Sequence, residues 1–233
     1  MQSEVHPDTS PISGDVHRLR AQVERVQGRR LDAPVLPVLP ALAALLPGGG
    51  LRAGSAYSIA PSASLLSALL AAASQAGSWC GVVGVPQFGA EAAERLGVDL
   101  ARLVLIPEPG ARWLAVTATI AEVLPVVAVR PGGRASDGDV SRLAARLRDR
   151  GAVLLVQGPW AQAEASIGVG DAEWTGLGDG HGYLAGRELT VTVTSRRTPV
   201  PRRGRVQLPA ADGALGSLRP VPAASYAPLE AVG

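Results

Sequence analysis

The feature that most constrains the fold is a regular alternation of short apolar runs and longer helical segments between residues 54 and 157. The apolar runs are continuous, which is typical of strands buried on both faces of a parallel sheet. Three helical segments end in a glycine, at Gly77, Gly97 and Gly151. Glycine adopts the left-handed conformation that ends a helix before the chain enters the sheet. The pattern therefore predicts an α/β fold, with a mostly parallel sheet flanked by helices.

The boundaries of the predicted elements follow from this pattern. Strands are predicted at residues 54–60, 79–85, 102–106, 126–129 and 152–157, and helices at residues 62–76, 89–96, 111–123 and 139–150. Trp79 and Trp113 fall on these elements and are expected to pack in the core. After residue 157 the pattern changes, and antiparallel C-terminal strands are predicted at residues 173–177, 187–195 and 204–208. Thr and Val alternate from Thr190 to Thr194, which predicts one apolar and one solvated face.

The two ends of the chain differ from the predicted core, which covers residues 51–208. Residues 1–14 are polar, and residues 209–233 are rich in Ala and Pro without periodicity, so both are predicted to be disordered. Residues 15–50 are predicted to form an N-terminal helix and a connector rich in Pro and Gly. The apolar stripe of this helix is narrow. It consists of Val16, Leu19, Val23 and Val26, and surface arginines lie beside it at Arg18, Arg20 and Arg25.

Composition excludes several classes of site. All 22 cationic side chains are arginines, so the chain has no P-loop lysine for nucleotide phosphates and no lysine for a Schiff base. One cysteine and three histidines form neither a disulfide framework nor a thiolate zinc site. We therefore expect no metal site and no cofactor.

The sequence also predicts where in the cell the protein is found. The N-terminus is polar and has no apolar segment of a secretory signal. The longest apolar helical run, residues 64–73, is too short to cross a hydrocarbon layer of ~30 Å. A single free cysteine is compatible with a reducing compartment. We expect a cytoplasmic protein without a membrane partner.

The turn after the first predicted strand is where a sheet of this kind binds phosphate, because helix amides face it. The motif G-x-x-x-x-G-K-[ST] fits residues 60–67 in length, but only Ser67 matches it. Ala60 and Leu65 occupy the glycine positions, and Leu66 occupies the lysine position. Because leucine cannot offset phosphate charge and Cβ atoms obstruct the backbone nest, we predict a degenerate P-loop whose pocket is filled with aliphatic side chains.

From about residue 45 to residue 208 the chain resembles the core of the RecA recombinase. The resemblance rests on the strand, turn and helix from residue 54, on the strand at residues 79–85, and above all on the sequence ERLGVDLARLVLIPEPG at residues 94–110. It is strongest toward a degenerate branch, the ImuA-type proteins of mutagenesis cassettes in their actinobacterial form. The resemblance implies a RecA-like fold.

The resemblance also assigns positions to the working residues of RecA. The lysine position falls on Leu66. The glutamate that activates the attacking water falls near Val85, with Gln87 as the nearest polar residue. The metal-associated aspartate falls near Ala128, and the nucleotide-sensing glutamine is retained as Gln157, where we expect a structural role at a strand end. Without a general base or a magnesium ligand, the resemblance implies a protein that is not an enzyme.

Two loops of RecA hold single-stranded DNA, and they correspond here to residues 131–138 and 158–171. The first loop has Arg134 as its only cation, and the second has no cation and one aromatic residue, Trp160. Backbone binding requires several cations, and bases stack on aromatic side chains. Filament formation by this chain alone on DNA is therefore not expected.

A group of five arginines lies elsewhere, within ten residues near the C-terminal strands. It consists of Arg196, Arg197, Arg202, Arg203 and Arg205. This basic patch has three interpretations: a solvated hairpin tip, a contact to the DNA backbone, or a docking surface for an acidic protein.

The function implied by the resemblance is that of an accessory protein in DNA-damage-induced mutagenic translesion synthesis, within the SOS response. The implied partners are an ImuB-like relative of Y-family polymerases and, through it, an error-prone C-family polymerase and the sliding clamp. RecA is a further implied partner, and association with the nucleoid is expected during DNA damage. Two alternatives remain open: a SulA-type inhibitor of a cell-division GTPase, and a divergent nucleotide hydrolase completed by a partner's residues.

Overall fold

The computed structural model of the chain describes residues 33–177, 182–210, 216 and 218–220. Every secondary-structure element given below belongs to one compact unit, Val35–Gly233. The predicted N-terminal helix, with its apolar stripe and its three arginines, lies outside the described residues, and so do residues 1–14.

The strands and helices are numbered in chain order. The strands are β1 (Val35–Leu36), β2 (Leu51–Arg52), β3 (Ala56–Ile59), β4 (Cys80–Val83), β5 (Leu103–Ile106), β6 (Val126–Val129), β7 (Val153–Gln157), β8 (Ala165–Leu177), β9 (Gly182–Ser195), β10 (Thr198–Gln207) and β11 (Leu218–Pro220). The helices are α1 (Pro40–Ala43), α2 (Ala63–Gln75), α3 (Ala90–Arg95), α4 (Trp113–Ile120) and α5 (Asp137–Arg150).

One large sheet organises these elements, with the strand order β11-β10-β9-β8-β3-β7-β6-β4-β5. From β5 to β8 the neighbouring strands are parallel. From β8 to β11 they are antiparallel. The mostly parallel α/β fold and its antiparallel C-terminal extension, both predicted from the sequence, are therefore confirmed. The short strands β1 and β2 form a separate antiparallel pair.

Apolar side chains pack on both faces of the parallel part of the sheet. Every residue of β6 and β7 is buried, as the continuous apolar runs predict. One core cluster joins α2 and α3 to the first face, and a second joins α4 and α5 to the other face. In the extension, Val191 and Val193 are buried as predicted, but of the threonines only Thr194 is exposed and Thr190 is buried, so the predicted solvated face is confirmed only in part.

Side-chain caps and glycines set the ends of the two long helices. The Ser62 hydroxyl accepts a hydrogen bond from the Leu65 amide at the start of α2. The Ser136 hydroxyl accepts one from the Asp139 amide at the start of α5, and Gly151 ends α5 with a φ of 67°. These contacts satisfy amide groups that the first turn of a helix leaves without partners.

Replacing Ser136 with alanine is expected to lower the free energy of unfolding by about 1 kcal/mol, because the Asp139 amide loses its acceptor. Urea denaturation measures the loss. Threonine at position 136 is the control, because its hydroxyl also caps a helix and can keep the hydrogen bond to the Asp139 carboxylate, so it should stay near the wild-type midpoint. Equal losses in the two variants would contradict the capping role.

The structure places more of the chain in the fold than the sequence predicted. Val38, Leu42, Leu45 and Leu46 are buried in the first core cluster, so the described part of the connector belongs to the core and the compact unit begins before residue 51. At the other end, β11 pairs with Gly204–Val206 of β10. Residues 218–220 of the predicted tail thus form a short strand, and residues 211–215, 217 and 221–233 lie outside the described residues.

Two further predictions are wrong in detail. Residues 165–171 belong to strand β8 rather than to a loop, because Ala165 and Ile167 turn into the core beside β3. Trp79 is 42% exposed instead of buried, and the Arg102 guanidinium lies 5.6 Å from its ring centroid. Trp113, by contrast, is 6% exposed and packs as predicted.

Within the described part of the chain, none of the helices combines the length and apolar character needed to cross a bilayer.

Candidate functional site

A cleft of about 690 Å³ lies where the chain passes from β3 into α2. This is the carboxyl end of a parallel strand, the place at which sheets of this class bind ligands. The cleft is bounded by the β3–α2 turn, by α3 and by the antiparallel strands. Its lining residues are Pro61, Ser62, Ala63, Ser64, Ser67, Gly89, Ala92, Arg95, Leu96, Val169, Trp174, Arg187 and Pro209.

The two leucines of the degenerate P-loop do not face this cleft. Leu65 and Leu66 are both completely buried, and both pack in the core cluster beneath α2. The prediction that aliphatic side chains fill the pocket is therefore wrong, because the α2 face that carries Leu65 and Leu66 turns toward the sheet. The cleft remains open above the serines of the first helical turns.

The backbone of the turn is already engaged in hydrogen bonds. The Ala60 amide donates to the Ile167 carbonyl at 2.9 Å, and the Ser62 amide donates to the Ala60 carbonyl at 2.7 Å. The Leu65 and Leu66 amides donate to the hydroxyl and the carbonyl of Ser62. A phosphate-binding turn offers its amides to the ligand, whereas four amides of this turn are occupied.

The Ser67 hydroxyl, the one match to the motif, is also engaged. It donates to the Ala63 carbonyl at 3.0 Å, within the helix. In a nucleotide-binding turn this hydroxyl would coordinate magnesium. The residue that matches the motif by type therefore has an ordinary helical hydrogen bond here.

An arginine from the antiparallel extension reaches this turn. Arg187 of β9 donates from Nη2 to the Ser64 hydroxyl and from Nε to the Leu208 carbonyl, the second bond being 3.0 Å long. Its guanidinium carbon lies 5.4 Å from the ring centroid of Trp174, which is 52% exposed. Arg187 thus joins the extension to the start of α2 and places a positive charge in the cleft.

Arg95 gives the cleft a second cation. It lies in the last turn of α3 and is exposed. Because no acidic residue is among the lining residues that the structure describes, this part of the lining has an excess of positive charge.

Sequence reasoning missed the importance of Arg95, Trp174 and Arg187. Trp174 lies opposite Arg187 in the β8–β9 register, so a correct strand alignment would have placed the two side chains together. The contact of Arg187 with Ser64 joins residues far apart in sequence, and local patterns carry no signal for it.

The positions that RecA uses for chemistry contain no acidic residue. Val85 and Ala128 are buried aliphatic side chains. Beyond Ala128, the Arg130 guanidinium donates from Nε to the Gln157 side-chain oxygen at 2.9 Å. Gln157 is 6% exposed, and its side-chain nitrogen has no hydrogen-bond partner. This places a positive charge near the ends of β6 and β7, where a metal ion would require negative ones.

Metal ligands and nucleophiles are not assembled in the described residues. No group of three or more His, Cys, Asp or Glu side chains there has a geometry that could hold a metal ion. Burial raises the pKa of the Cys80 thiol to about 12, so Cys80 is protonated at neutral pH and is a poor nucleophile.

The basic patch is partly neutralised within the fold. Arg197 forms an ion pair with Glu164, and Arg205 forms ion pairs with Glu173 and Glu188. Desolvation lowers the pKa of Arg205, but hydrogen bonds and charges of both glutamates outweigh it and raise the pKa overall.

The other arginines of the patch differ in their contacts. Arg196 and Arg202 donate to the carbonyls of Ala161 and Leu46. Arg203 is exposed. Together with the two ion-paired arginines, these contacts favour a structural role for most of the patch over binding to a nucleic-acid backbone, because neutralising phosphates requires several free cations.

The two segments that correspond by resemblance to the DNA-holding loops of RecA are short. Helix α5 begins at Asp137, and strand β8 begins at Ala165, so both loops are shorter than predicted. Trp160, the one aromatic residue of the second segment, packs against the second core cluster. The described loops therefore do not combine free cations with an exposed aromatic ring.

Known proteins resemble this chain in sequence and in fold. Residues 44–162 match the family described as the MT3502 N-terminal domain. The chain is 31% identical over 167 residues to the uncharacterized protein Rv3395c of Mycobacterium tuberculosis (strain ATCC 25618 / H37Rv), and the match covers 70% of this chain and 74% of that protein. The crystal structure of the RadB recombinase matches with a TM-score of 0.55 and 13% identity, over 77% of this chain and 97% of that one. The structural match shows a RecA-like fold.

Proposed function

Because the chain belongs to the family of the MT3502 N-terminal domain and has a RecA-like fold, we propose that it is a non-catalytic accessory protein of DNA-damage-induced mutagenic translesion synthesis. It acts by binding an ImuB-like relative of Y-family polymerases. Through that protein it contacts an error-prone C-family polymerase and the sliding clamp. This proposal combines the ImuA-type sequence resemblance with a fold in which the sites of RecA chemistry are altered.

The observation that carries the proposal is that the β3–α2 turn lacks the free groups that a phosphate-binding turn offers. Four of its amides donate to acceptors within the protein, and the side chain at the lysine position is buried in the core. Nucleotide hydrolysis also requires a base and a magnesium ligand, and their expected positions hold Val85 and Ala128. A scaffold without these groups functions through its surfaces.

Isothermal titration with ATP and magnesium tests the loss of nucleotide chemistry. We expect no heat of binding at millimolar ATP and no phosphate release over hours, because four amides of the turn are engaged within the protein and the turn has no lysine. RecA titrated under the same conditions is the positive control. Micromolar binding or measurable turnover would overturn the proposal, and turnover only with the ImuB-like protein present would support the partner-completed hydrolase.

The N-terminal arginines provide a test of partner binding. The triple variant Arg18→Glu, Arg20→Glu and Arg25→Glu is expected to weaken co-purification with the ImuB-like protein of the same genome by at least about tenfold, because like charges repel at an interface. Reversing Arg142, Arg146 and Arg150 on α5 is the matched control. Unchanged co-purification of the triple variant would exclude the N-terminal surface, and filamentous cells on overexpression would favour the SulA-type alternative.

A further inference from the structure

We propose that the cleft between the β3–α2 turn and the antiparallel strands binds an acidic peptide segment of a protein partner, with an apolar side chain of that segment seated beside Trp174. This inference rests on the proposed function in one respect, namely that the protein acts by binding another protein. Four properties of the cleft support the inference: its charge, its apolar surface, its size and the type of anion that it suits.

Charge is the first step. Arg187 and Arg95 line the cleft from different elements, β9 and α3, and none of the described residues that line it is acidic. Arg187 is held in place by Ser64, Leu208 and Trp174, so its position is fixed before a ligand arrives. A fixed guanidinium binds a carboxylate with a smaller loss of side-chain entropy than a mobile one.

The apolar surface is the second step. Trp174 is 52% exposed, although a tryptophan gains most by burial. Leu96, Val169 and Pro209 continue the apolar lining beside it. Tryptophan and arginine are the residue types that most often dominate protein–protein binding energy, and here they line one cleft together.

Size is the third step. A cleft of about 690 Å³ lies in the ~300–1,000 Å³ range of sites that bury a small ligand or a few side chains. It is too small for a folded domain, and it suits a short segment that inserts one acidic and one apolar side chain.

The fourth step concerns the type of anion. A nucleotide would need the amides of the β3–α2 turn for its phosphates, and four of these amides are occupied. A carboxylate needs only the guanidinium groups. The arginines can bind either anion, so the engaged amides and the missing lysine are what favour the carboxylates of an acidic peptide over the phosphates of a nucleotide.

Selection from a random dodecapeptide display library, with the full chain as bait, tests this inference without any assumption about the polymerase. The selected peptides are expected to share Asp or Glu next to an aromatic or aliphatic residue. Synthetic versions of them are then titrated against the wild-type protein and three variants: Arg95→Glu, Trp174→Ala and Arg150→Glu. Arg150 is the matched control because it is also an exposed arginine in the last turn of a helix.

We expect Arg95→Glu and Trp174→Ala each to weaken peptide binding by at least about tenfold, and Arg150→Glu to change it by less than about twofold, because only the first two residues line the cleft. Thermal unfolding of every variant excludes loss of the fold as the cause. The proposed peptide site is contradicted if the selected peptides lack acidic residues or if neither cleft variant weakens binding. It is also contradicted if ATP displaces the peptides at micromolar concentration.

The two proposals fail in different ways. Acidic peptides that bind the cleft while the ImuB-like protein does not co-purify would remove the proposed mutagenesis role and keep the cleft as a peptide site. Co-purification that is unaffected by Arg95→Glu and Trp174→Ala would keep the mutagenesis role and remove the cleft from the interface.

Discussion

Replacing Leu66 with lysine is expected to destabilise the protein by about 4 kcal/mol and to leave it unable to bind ATP. The substitution restores the lysine of the P-loop motif in sequence. In the structure, however, Leu66 is completely buried in the core beneath α2. A lysine there must be neutral or be buried as an unpaired charge, and burial lowers lysine pKa values by about 3–5 units, each worth about 1.4 kcal/mol.

Urea denaturation at pH 7 measures the loss, and Leu66→Met is the control. Methionine conserves volume and apolar character, so it should cost less than about 1.5 kcal/mol. The lysine variant should also regain stability as the pH rises toward 10, because its folded-state pKa lies below its unfolded-state pKa and the cost of removing the proton from the unfolded chain falls as the pH rises. A stable lysine variant that binds ATP with magnesium would contradict the orientation of α2.

Replacing Gly84 with alanine is also expected to have a large effect and to lower the free energy of unfolding by about 3 kcal/mol. Gly84 follows β4 with a φ of 73°, and a Cβ there would lie 2.5 Å from the Arg130 carbonyl oxygen. The left-handed backbone costs a non-glycine residue about 1–2 kcal/mol, and moving a backbone carbonyl adds a cost similar to that of overpacking, about 1–3 kcal/mol.

Gly77→Ala is the matched control for Gly84→Ala. Gly77 has a φ of 90°, and no atom lies within 4 Å of the position of its added Cβ. This variant therefore measures the backbone cost alone, and we expect a loss of about 1 kcal/mol. Chemical denaturation measures the loss in free energy of unfolding for both variants, and the difference between the two losses gives the contribution of the contact with the Arg130 carbonyl. Equal losses would show that β6 can move away from Gly84 at little cost.

The parallel half of the fold was predictable because its signals are local. A continuous apolar run specifies a doubly buried strand, and a glycine after a helix specifies where the helix ends. Gly77, Gly97 and Gly151 have φ values of 90°, 94° and 67°, as the sequence predicted. The cap at Ser136 is a signal of the same local kind, since capping depends on residues only three positions apart.

The contents of the cleft were not predictable, because they depend on contacts between distant segments. The sequence placed Leu65 and Leu66 at motif positions but did not show which side of α2 faces the sheet. It also did not show that β9 brings Arg187 to Ser64. A motif comparison detects that residues are missing, whereas packing determines what replaces them.

The ion pairs of the basic patch were not predictable for the same reason, because they also join distant segments. Five arginines in a short segment suggest a positive surface, yet Arg205 lies between Glu173 and Glu188, and Arg197 is paired with Glu164. These glutamates come from β8, β9 and the segment before β8. Their pairing with the arginines depends on the antiparallel register, which the sequence places only approximately.

The hydrogen bonds of the β3–α2 turn have a consequence for the history of the protein. A lost lysine, glutamate or aspartate can return through single substitutions. The amides of Ala60, Ser62, Leu65 and Leu66 are committed to acceptors spread over the turn and β8, and no single substitution releases them together. Under the proposed non-catalytic role, a single change that restored the lysine would therefore not by itself restore a phosphate-binding turn.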